Sequence, residues 1–477
     1  MTSAQTITRS AVAASLLVAL TGCALGPNYK RPQIALPADF RGTVPPTDQS
    51  TSDPKSSLAD TKWPEVFREQ TLQKLVDTAL TNNFNIRIAA ERIQQARAQL
   101  GVTRADLFPF LDIQGSFTGT RQSTLGSFRF IQPGTNLAVS YTQAGAALSW
   151  ELDIWGRLRR LTEAARAEYF ATVEGQRTVI TSLVSDVTTA YFQLLELELE
   201  LDISRKTRDL ATDSVRLVGF RRDQGAASGL DLRQAEQLLY TAGAQIEAVE
   251  RSIAQTENLL SLLLGQAPSQ QPRGSKLTEI LMPPEVPAGL PSAILERRPD
   301  IRAAEQSLIA ANARIGAARA LYFPNLSLTA FAGAQTRALT EIASNPARQY
   351  SIVPATTLPI FRAGQIRNQV RLSESQQREL LVAYQQTIYT ALREVADSLA
   401  AYSNTRDQRA QQQLFVRTLE DTVRLSTLRY KGGLDSYLQV LDSQRNLFSG
   451  ELDLARLQLQ ERLTVVQLYR ALGGGWQ

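Results

Sequence analysis

Apolar positions change their period several times along this chain. From Leu111 to Gly119 the odd positions hold Leu, Ile, Gly, Phe and Gly and the even ones Asp, Gln, Ser and Thr. That period of two predicts a strand with one apolar face. Leu137, Val139 and Tyr141 alternate in the same way, as do Leu326, Leu328 and Ala330 against Asn325, Ser327 and Thr329, whereas Thr142 to Leu148 alternates poorly. Two strands are expected in each half, joined by polar tips near Arg121 to Asn136 and Arg337 to Arg348. Elsewhere the period is helical. Leu381, Tyr384, Ile388, Leu392, Val395, Leu399 and Tyr402 recur at three- and four-residue steps, the narrow seam of a coiled coil rather than the broad stripe of a globular helix.

Proline placement sets the length of these helices. No proline falls between Pro133 and Pro268 or after Pro359, and neither Gly nor Pro falls between Gly364 and Gly432. If that run is one helix it is roughly 100 Å long at 1.5 Å per residue. Gly156 to Gly219 matches it in the first half, interrupted only by Gly175.

The two halves are copies of each other. Ile86 through Pro109 aligns with Ile301 through Pro324, carrying Gly101 onto Gly316 and Arg104 onto Arg319. Farther on, Gly156 to Arg159 aligns with Gly364 to Arg367, and Gly225 to Leu230 with Gly433 to Leu438, at an offset seven residues shorter. The difference must fall between Pro109 and Gly156, where each half stops looking helical. Four strands alone leave two open edges, whose unpaired backbone groups have no partner in hydrocarbon. If the strands are in a membrane, several chains share one barrel. A soluble four-stranded sheet with helical arms is the competing reading at this point.

The N-terminus bears on that choice. Arg9 precedes an apolar run from Ala11 to Leu20, which is too short to span a bilayer and reads as a signal-peptide core. It ends in Leu20-Thr21-Gly22-Cys23, a bacterial lipobox, so cleavage before Cys23 and lipidation of that residue are expected. Each buried methylene of an acyl chain adds about 0.8 kcal/mol of membrane affinity. Ala24, not an acidic residue, follows the cysteine, which favours the outer membrane. Beyond it, up to about Trp63, a proline-dense stretch is extended and has no core of its own.

Composition removes several function classes. Cys23 is the one cysteine and histidine is absent, which leaves no disulfide, no Cys/His metal site and no His-based triad. The 51 basic and 46 acidic residues are interleaved, as on solvated helix faces rather than a nucleic-acid groove. No cofactor is called for, and no enzyme motif is present.

With these features together, the chain resembles the TolC-like outer-membrane factor family, in particular the lipoprotein branch serving resistance-nodulation-division multidrug efflux systems. The resemblance rests on Cys23 to Pro32, on Trp150 to Arg159 at a strand-to-helix junction, on Arg297 to Arg302 before the second repeat, and on Ala471 to Trp476 at the end. It implies a mainly α fold with a β membrane part: a homotrimer with a long helical barrel and a shared β-barrel of twelve strands, four per chain. It also implies a passive exit duct in the outer membrane, with a periplasmic adaptor protein and an inner-membrane proton-driven transporter as partners, and no catalytic activity. The expected organisation is a signal peptide (1–22), an extended segment (23–66), a first repeat (67–265), a linker in an equatorial belt (266–299), a second repeat (300–472) and a tail (473–477). A trimeric envelope lipoprotein with an adhesin or spacer role, and a duct for protein secretion, remain alternatives.

Site residues follow from the same resemblance. In each repeat the long helix should reach a Gly-bearing turn, Arg222 to Gly225 or Tyr430 to Gly433, before a second helix returns. Leu438, Asp442 and Arg445 fall at i, i+4 and i+7, on one helix face. Tyr430, Lys431, Leu438, Asp442 and Arg445 match the residues that close the periplasmic aperture in the family, with Lys431 replacing the more usual Arg. An ammonium lacks the guanidinium fork, so bidentate pairing at Lys431 is not available. In the first repeat Leu230, Gln234 and Gln237 answer Leu438, Asp442 and Arg445, and Arg222 and Asp223 answer Tyr430 and Lys431, so charge at the pore-facing positions of the returning helix belongs to the second hairpin alone.

Overall fold

The computed structural model describes residues 24–41, 57–121, 123, 138–280 and 289–476. Cys23, the signal segment, Leu137 and most of the first strand-to-strand tip lie outside the described residues. The principal elements are α1 (Gln70–Asn82), α2 (Phe84–Ala105), β1 (Phe110–Arg121), β2 (Ala138–Leu152), α3 (Arg157–Asp223), α4 (Gly229–Leu263), α5 (Pro299–Ala320), β3 (Asn325–Thr336), β4 (Arg348–Thr357), α6 (Gln365–Lys431) and α7 (Tyr437–Ala471).

The repeat is kept element by element. Helices α2 and α5 are both 22 residues and strands β1 and β3 both 12, each pair 215 positions apart. Helices α3 and α6 are both 67 residues, and α4 and α7 both 35, each pair 208 apart. Gly175 does not interrupt α3. Among the described residues no helix is long and apolar enough to cross a membrane.

The chain divides into two compact units. One gathers residues up to Pro32 with Ile93–Ala171 and Ala304–Ala383; the other gathers Gln33–Arg92, Thr172–Ala303 and Tyr384–Gln477.

The first unit holds an antiparallel sheet in the order β1-β2-β3-β4. Register explains its two faces. Leu111 lies opposite Leu148, which lies opposite Ala330, which lies opposite Ile352. One face therefore carries Leu111, Ile113, Phe117, Leu148, Leu326, Leu328, Ala330, Tyr350 and Ile352, and the other Asp112, Gln114, Gln143, Ser327, Thr329 and Ser351, with Val139, Tyr141, Phe331 and Val353 among them rather than on the apolar face. Among the residues of highest exposure are Ile113 (92%) and Tyr350 (83%), both on the apolar face. Such a face suits hydrocarbon and its reverse suits water. Gly145 and Gly333 lie opposite each other, and a Cβ on Gly145 would fall 2.7 Å from the Phe331 ring. Gly145, which helps mask the alternation in the sequence, makes room for that ring.

An N-terminal strap is pinned to the same unit. Gly26 (φ 96°) rides on Gly316 so closely that a Cβ there would fall 2.4 Å from the Gly316 Cα. Buried Arg160 donates to the Leu25 carbonyl (3.1 Å) and to Asn28 Oδ1 (2.8 Å), and Asn312 donates to the Pro27 carbonyl (2.8 Å). Arg31 pairs with Glu305 through both guanidinium branches. Ala164 and Ala167 of α3 meet Ala310 and Ala313 of α5, and these methyl-sized residues let the two helices close.

The second unit contains the core of α1, with Leu72, Leu75, Val76 and Ala79 buried. Phe67 packs edge-on against Phe192 and Tyr469. Arg298, 8% exposed, bonds both oxygens of Asp300, Glu394 (2.8 Å) and the Ala471 carbonyl (2.9 Å). Those contacts give the Arg297–Arg302 motif its structural role, tying the start of α5 to α6 and to the end of α7.

Candidate functional site

Each long helix ends in a Schellman motif. At the first tip Gly225 (φ 75°) bonds back to the Arg222 carbonyl and Ala226 to that of Arg221; at the second, Gly433 (φ 72°) bonds to Tyr430 and Leu434 to Arg429. Positive φ is why glycine stands at both places. The returning helices start differently. Ser228 and Asp231 form a capping box at α4, whereas Ser436 makes no side-chain cap at α7, where Gln439 stands in place of the acid. A cap of this kind contributes about 0.5–2 kcal/mol, so the first tip is the more firmly tied.

Contacts across the tips run between the repeats. Ile203, Ala211 and Val218 of α3, Ala235 and Leu238 of α4, Tyr430 of α6 and Tyr437, Val440, Leu441, Phe448, Leu452 and Ala455 of α7 form one apolar cluster. Arg221 of α3 places its guanidinium 4.7 Å from the Tyr430 ring centre and donates to the Tyr430 carbonyl at 3.1 Å. The Tyr430 and Tyr437 rings meet edge to face at 5.4 Å. Burial raises both phenols, that of Tyr437 to about 12, so both stay protonated at ordinary pH. The Tyr430 hydroxyl is buried without a hydrogen-bond partner among the described residues, a cost of about 1–3 kcal/mol.

The five residues expected at the aperture separate into two environments. Tyr430 is buried at the seam between hairpins. Leu438 (52% exposed), Asp442, Arg445 and Lys431 are exposed, the first three on the face of α7 turned away from that cluster. Asp442 accepts a hydrogen bond from Asn446 at 3.2 Å and does not pair with Arg445. Among the described residues neither Arg445 nor Lys431 has an ion-pair partner, so their charge is free to act on something other than this chain. Arg429, next to Tyr430, instead pairs with Asp435 (2.5 and 3.1 Å) and braces its own turn. Arg221 and Tyr437 were not legible as site residues. Arg221 is the repeat-mate of Arg429, and nothing local to it shows that it reaches Tyr430 instead.

The model of the outer membrane efflux protein family matches residues 75–266 and 290–474. The chain belongs to that family. The solvent efflux pump outer membrane protein SrpC of Pseudomonas putida is 39% identical over 465 residues, covering 96% of this chain and 97% of SrpC. The cation efflux system protein CusC of Escherichia coli O6:H1 is 35% identical over 464 residues, covering 96% and 97%. The MtrE outer membrane channel of Neisseria gonorrhoeae, solved in its open state, is similar at a TM-score of 0.82 and 31% identity, covering 95% of this chain and 99% of MtrE. This efflux protein is an outer-membrane channel serving as an exit duct. Its fold is that of the family: a helical barrel joined to a shared transmembrane β-barrel, to which each chain gives four strands.

Proposed function

We propose that the protein works as a homotrimer, acylated at Cys23, that forms the passive outer-membrane segment of a tripartite pump. A periplasmic adaptor protein and a proton-driven inner-membrane transporter deliver its cargo, and no chemistry occurs on the chain itself. The observation that supports this best is the sheet. Strands β1 and β4 are free edges, one face is apolar and the other polar, and such a sheet is stable in a bilayer only when other copies close it. SrpC is named for solvents and CusC for cations at similar identity to this chain, so cargo selection is assigned to the transporter. The linker 266–299 and tail 473–477 belong to an equatorial belt in this reading.

The periplasmic aperture is assigned to Tyr430, Lys431, Leu438, Asp442 and Arg445. Three copies of the exposed α7 face make stacked apolar, acidic and basic rings, and the absence of an Asp442–Arg445 pair within the chain leaves both charges for neighbouring copies. The uncapped start of α7 makes the second hairpin the moving part. Purified protein in a planar bilayer tests the reading: discrete conductance steps from a three-chain particle are expected. A three-chain particle that never conducts would instead be a spacer or adhesin.

A further inference from the structure

Where the sheet passes into the helices, within the first compact unit, the end of β2, the starts of α3, β3 and α6, and the end of α5 enclose a cavity of about 720 Å³. Two observations say which way it faces. Glu151, Asn325 and Thr357, which line it, belong to the polar face of the sheet. On α5 it is lined by Arg314, Ala318 and Leu321, on the side of the helix opposite Asn312 and Gly316, which hold the N-terminal strap. The cavity therefore lies on the water side of the sheet and away from the strap.

One wall is apolar. The Trp155 and Phe323 rings lie 4.7 Å apart between centres, and Leu161, Leu321 and Ile366 also line the space. The charged groups around it are unequally engaged. Glu151 accepts from Arg157 through both oxygens (2.9 and 2.7 Å). Asp153 accepts from the backbone amides of Leu158 (3.1 Å) and Arg159 (2.8 Å) and pairs with the Arg159 side chain. Arg314 pairs with Glu168. Arg362 is exposed and has no ion-pair partner among the described residues. Both carboxylates of the cavity are thus neutralised, and one guanidinium is not.

The internal repeat identifies the group that would balance it. Moving on by 208 positions, the offset of the long helices, puts Phe361 where Asp153 stands, and Ile366 and Arg367 where Leu158 and Arg159 stand. The carboxylate that receives the first amides of α3 has no counterpart at α6. In its place the second repeat has a phenyl ring followed by Arg362. Amides in the first turn of a helix favour an anion, so the start of α6 and Arg362 act in the same direction.

We propose that this cavity binds amphipathic organic anions of drug size, the acidic group held by Arg362 at the start of α6 and the apolar body against Trp155 and Phe323. Pockets of about 300–1,000 Å³ with apolar walls and a few fixed polar groups hold molecules of that size, and a guanidinium fork matches a carboxylate or sulfonate. Placing the cavity on the lumen rests on the closed-barrel reading, whereas the binding depends only on this chain. The wall of the duct then offers anionic cargo a place to pause, whichever transporter delivers it.

Anilinonaphthalene sulfonate and its neutral parent anilinonaphthalene, which differ by the sulfonate alone, test the site. Both are titrated by fluorescence into the full-length protein in phosphatidylcholine nanodiscs, with empty nanodiscs subtracted. Arg362→Gln should weaken sulfonate binding about tenfold and leave the neutral parent unchanged. Phe361→Asp, which restores the carboxylate of the first repeat, should weaken the sulfonate at least as much. Arg371→Gln, a basic position of α6 outside the cavity, should have no effect. Native sulfonate binding in either of the first two variants overturns the proposal, and so does an equal loss in Arg371→Gln, which would mean general surface charge. Phosphatidylglycerol added to the nanodiscs should not compete; competition would assign the cavity to a lipid headgroup and overturn the cargo reading. A protein that fails to bind the sulfonate but conducts in planar bilayers loses the site and keeps its role as a duct.

Discussion

Replacing Arg221 with alanine should loosen the second hairpin without unfolding it. The side chain makes two contacts that cross between repeats, a cation–π contact with Tyr430 at 4.7 Å and a hydrogen bond to its carbonyl at 3.1 Å. The first contributes about 0.5–2 kcal/mol and the second, with a charged donor, about 1.5–3. Arg221 is half-buried, so the lower ends apply, and the pair contributes about 2 kcal/mol per copy. At about 1.4 kcal/mol per factor of ten, this shifts the equilibrium of each tip by roughly thirtyfold. Single-channel recording of Arg221→Ala in planar bilayers should show a matching rise in the fraction of time open. The matched control is Arg222→Ala, because among the described residues Arg222 pairs only with Asp223 beside it (2.6 Å). If Arg221→Ala lowers thermal stability but leaves opening unchanged, or if Arg222→Ala opens the channel as much, the contact only packs the tip and does not latch it.

Three further outcomes are expected. Cys23→Ser should abolish palmitate labelling while the folded trimer still forms, and label retained in the variant would remove the lipoprotein reading. Gly316→Val places a side chain where the Leu25 carbonyl stands, 2.5 Å from the new Cβ, so limited proteolysis should release the strap in the variant and spare it in the native protein. Glu196 and Glu200, one turn apart and both 5% exposed, share a pocket in which burial and then the Glu200 charge push the Glu196 carboxyl up to about 8, opposed by Arg456. The folded state then holds a proton that the unfolded chain gives up near its ordinary 4.5. Stability should fall as pH rises from about 4.5 to about 8, and thermal melts of Glu196→Gln should lack that slope; the same slope in both proteins would contradict the assignment.

Local rules carried much of the fold. The stretch without Gly or Pro from Gln365 to Lys431 is a single helix because nothing in it interrupts the hydrogen-bond ladder, and the Gly turns stop both long helices where a positive φ is needed. The repeat offsets hold across the helices because insertions are tolerated only in the strand connections. What stayed hidden depends on distant contacts. Thr142 to Leu148 reads poorly as a strand because Gly145 is small for the sake of Phe331, a residue far along the chain. The strap reads only as extended, since its hold comes from Arg160 and Asn312 on two other elements. At the tips the spacing of Leu438, Asp442 and Arg445 was legible, but the Arg221–Tyr430 contact, made across 209 residues, was not.

The gate itself is tested most directly by comparing the two hairpins of the same channel. Asp442→Ala or Arg445→Ala removes one charged ring from a face where neither residue has an ion pair among the described residues, and the remaining ring is left unbalanced. Three symmetric copies in a constricted site give several times the about 0–1 kcal/mol of an exposed pair. Either variant should raise single-channel conductance in planar bilayers, high salt should partly mimic it by screening, and Gln234→Ala with Gln237→Ala should change conductance much less. Equal effects from the two hairpins would contradict the asymmetric gate, and no effect from either would return Asp442 and Arg445 to a solvated helix face.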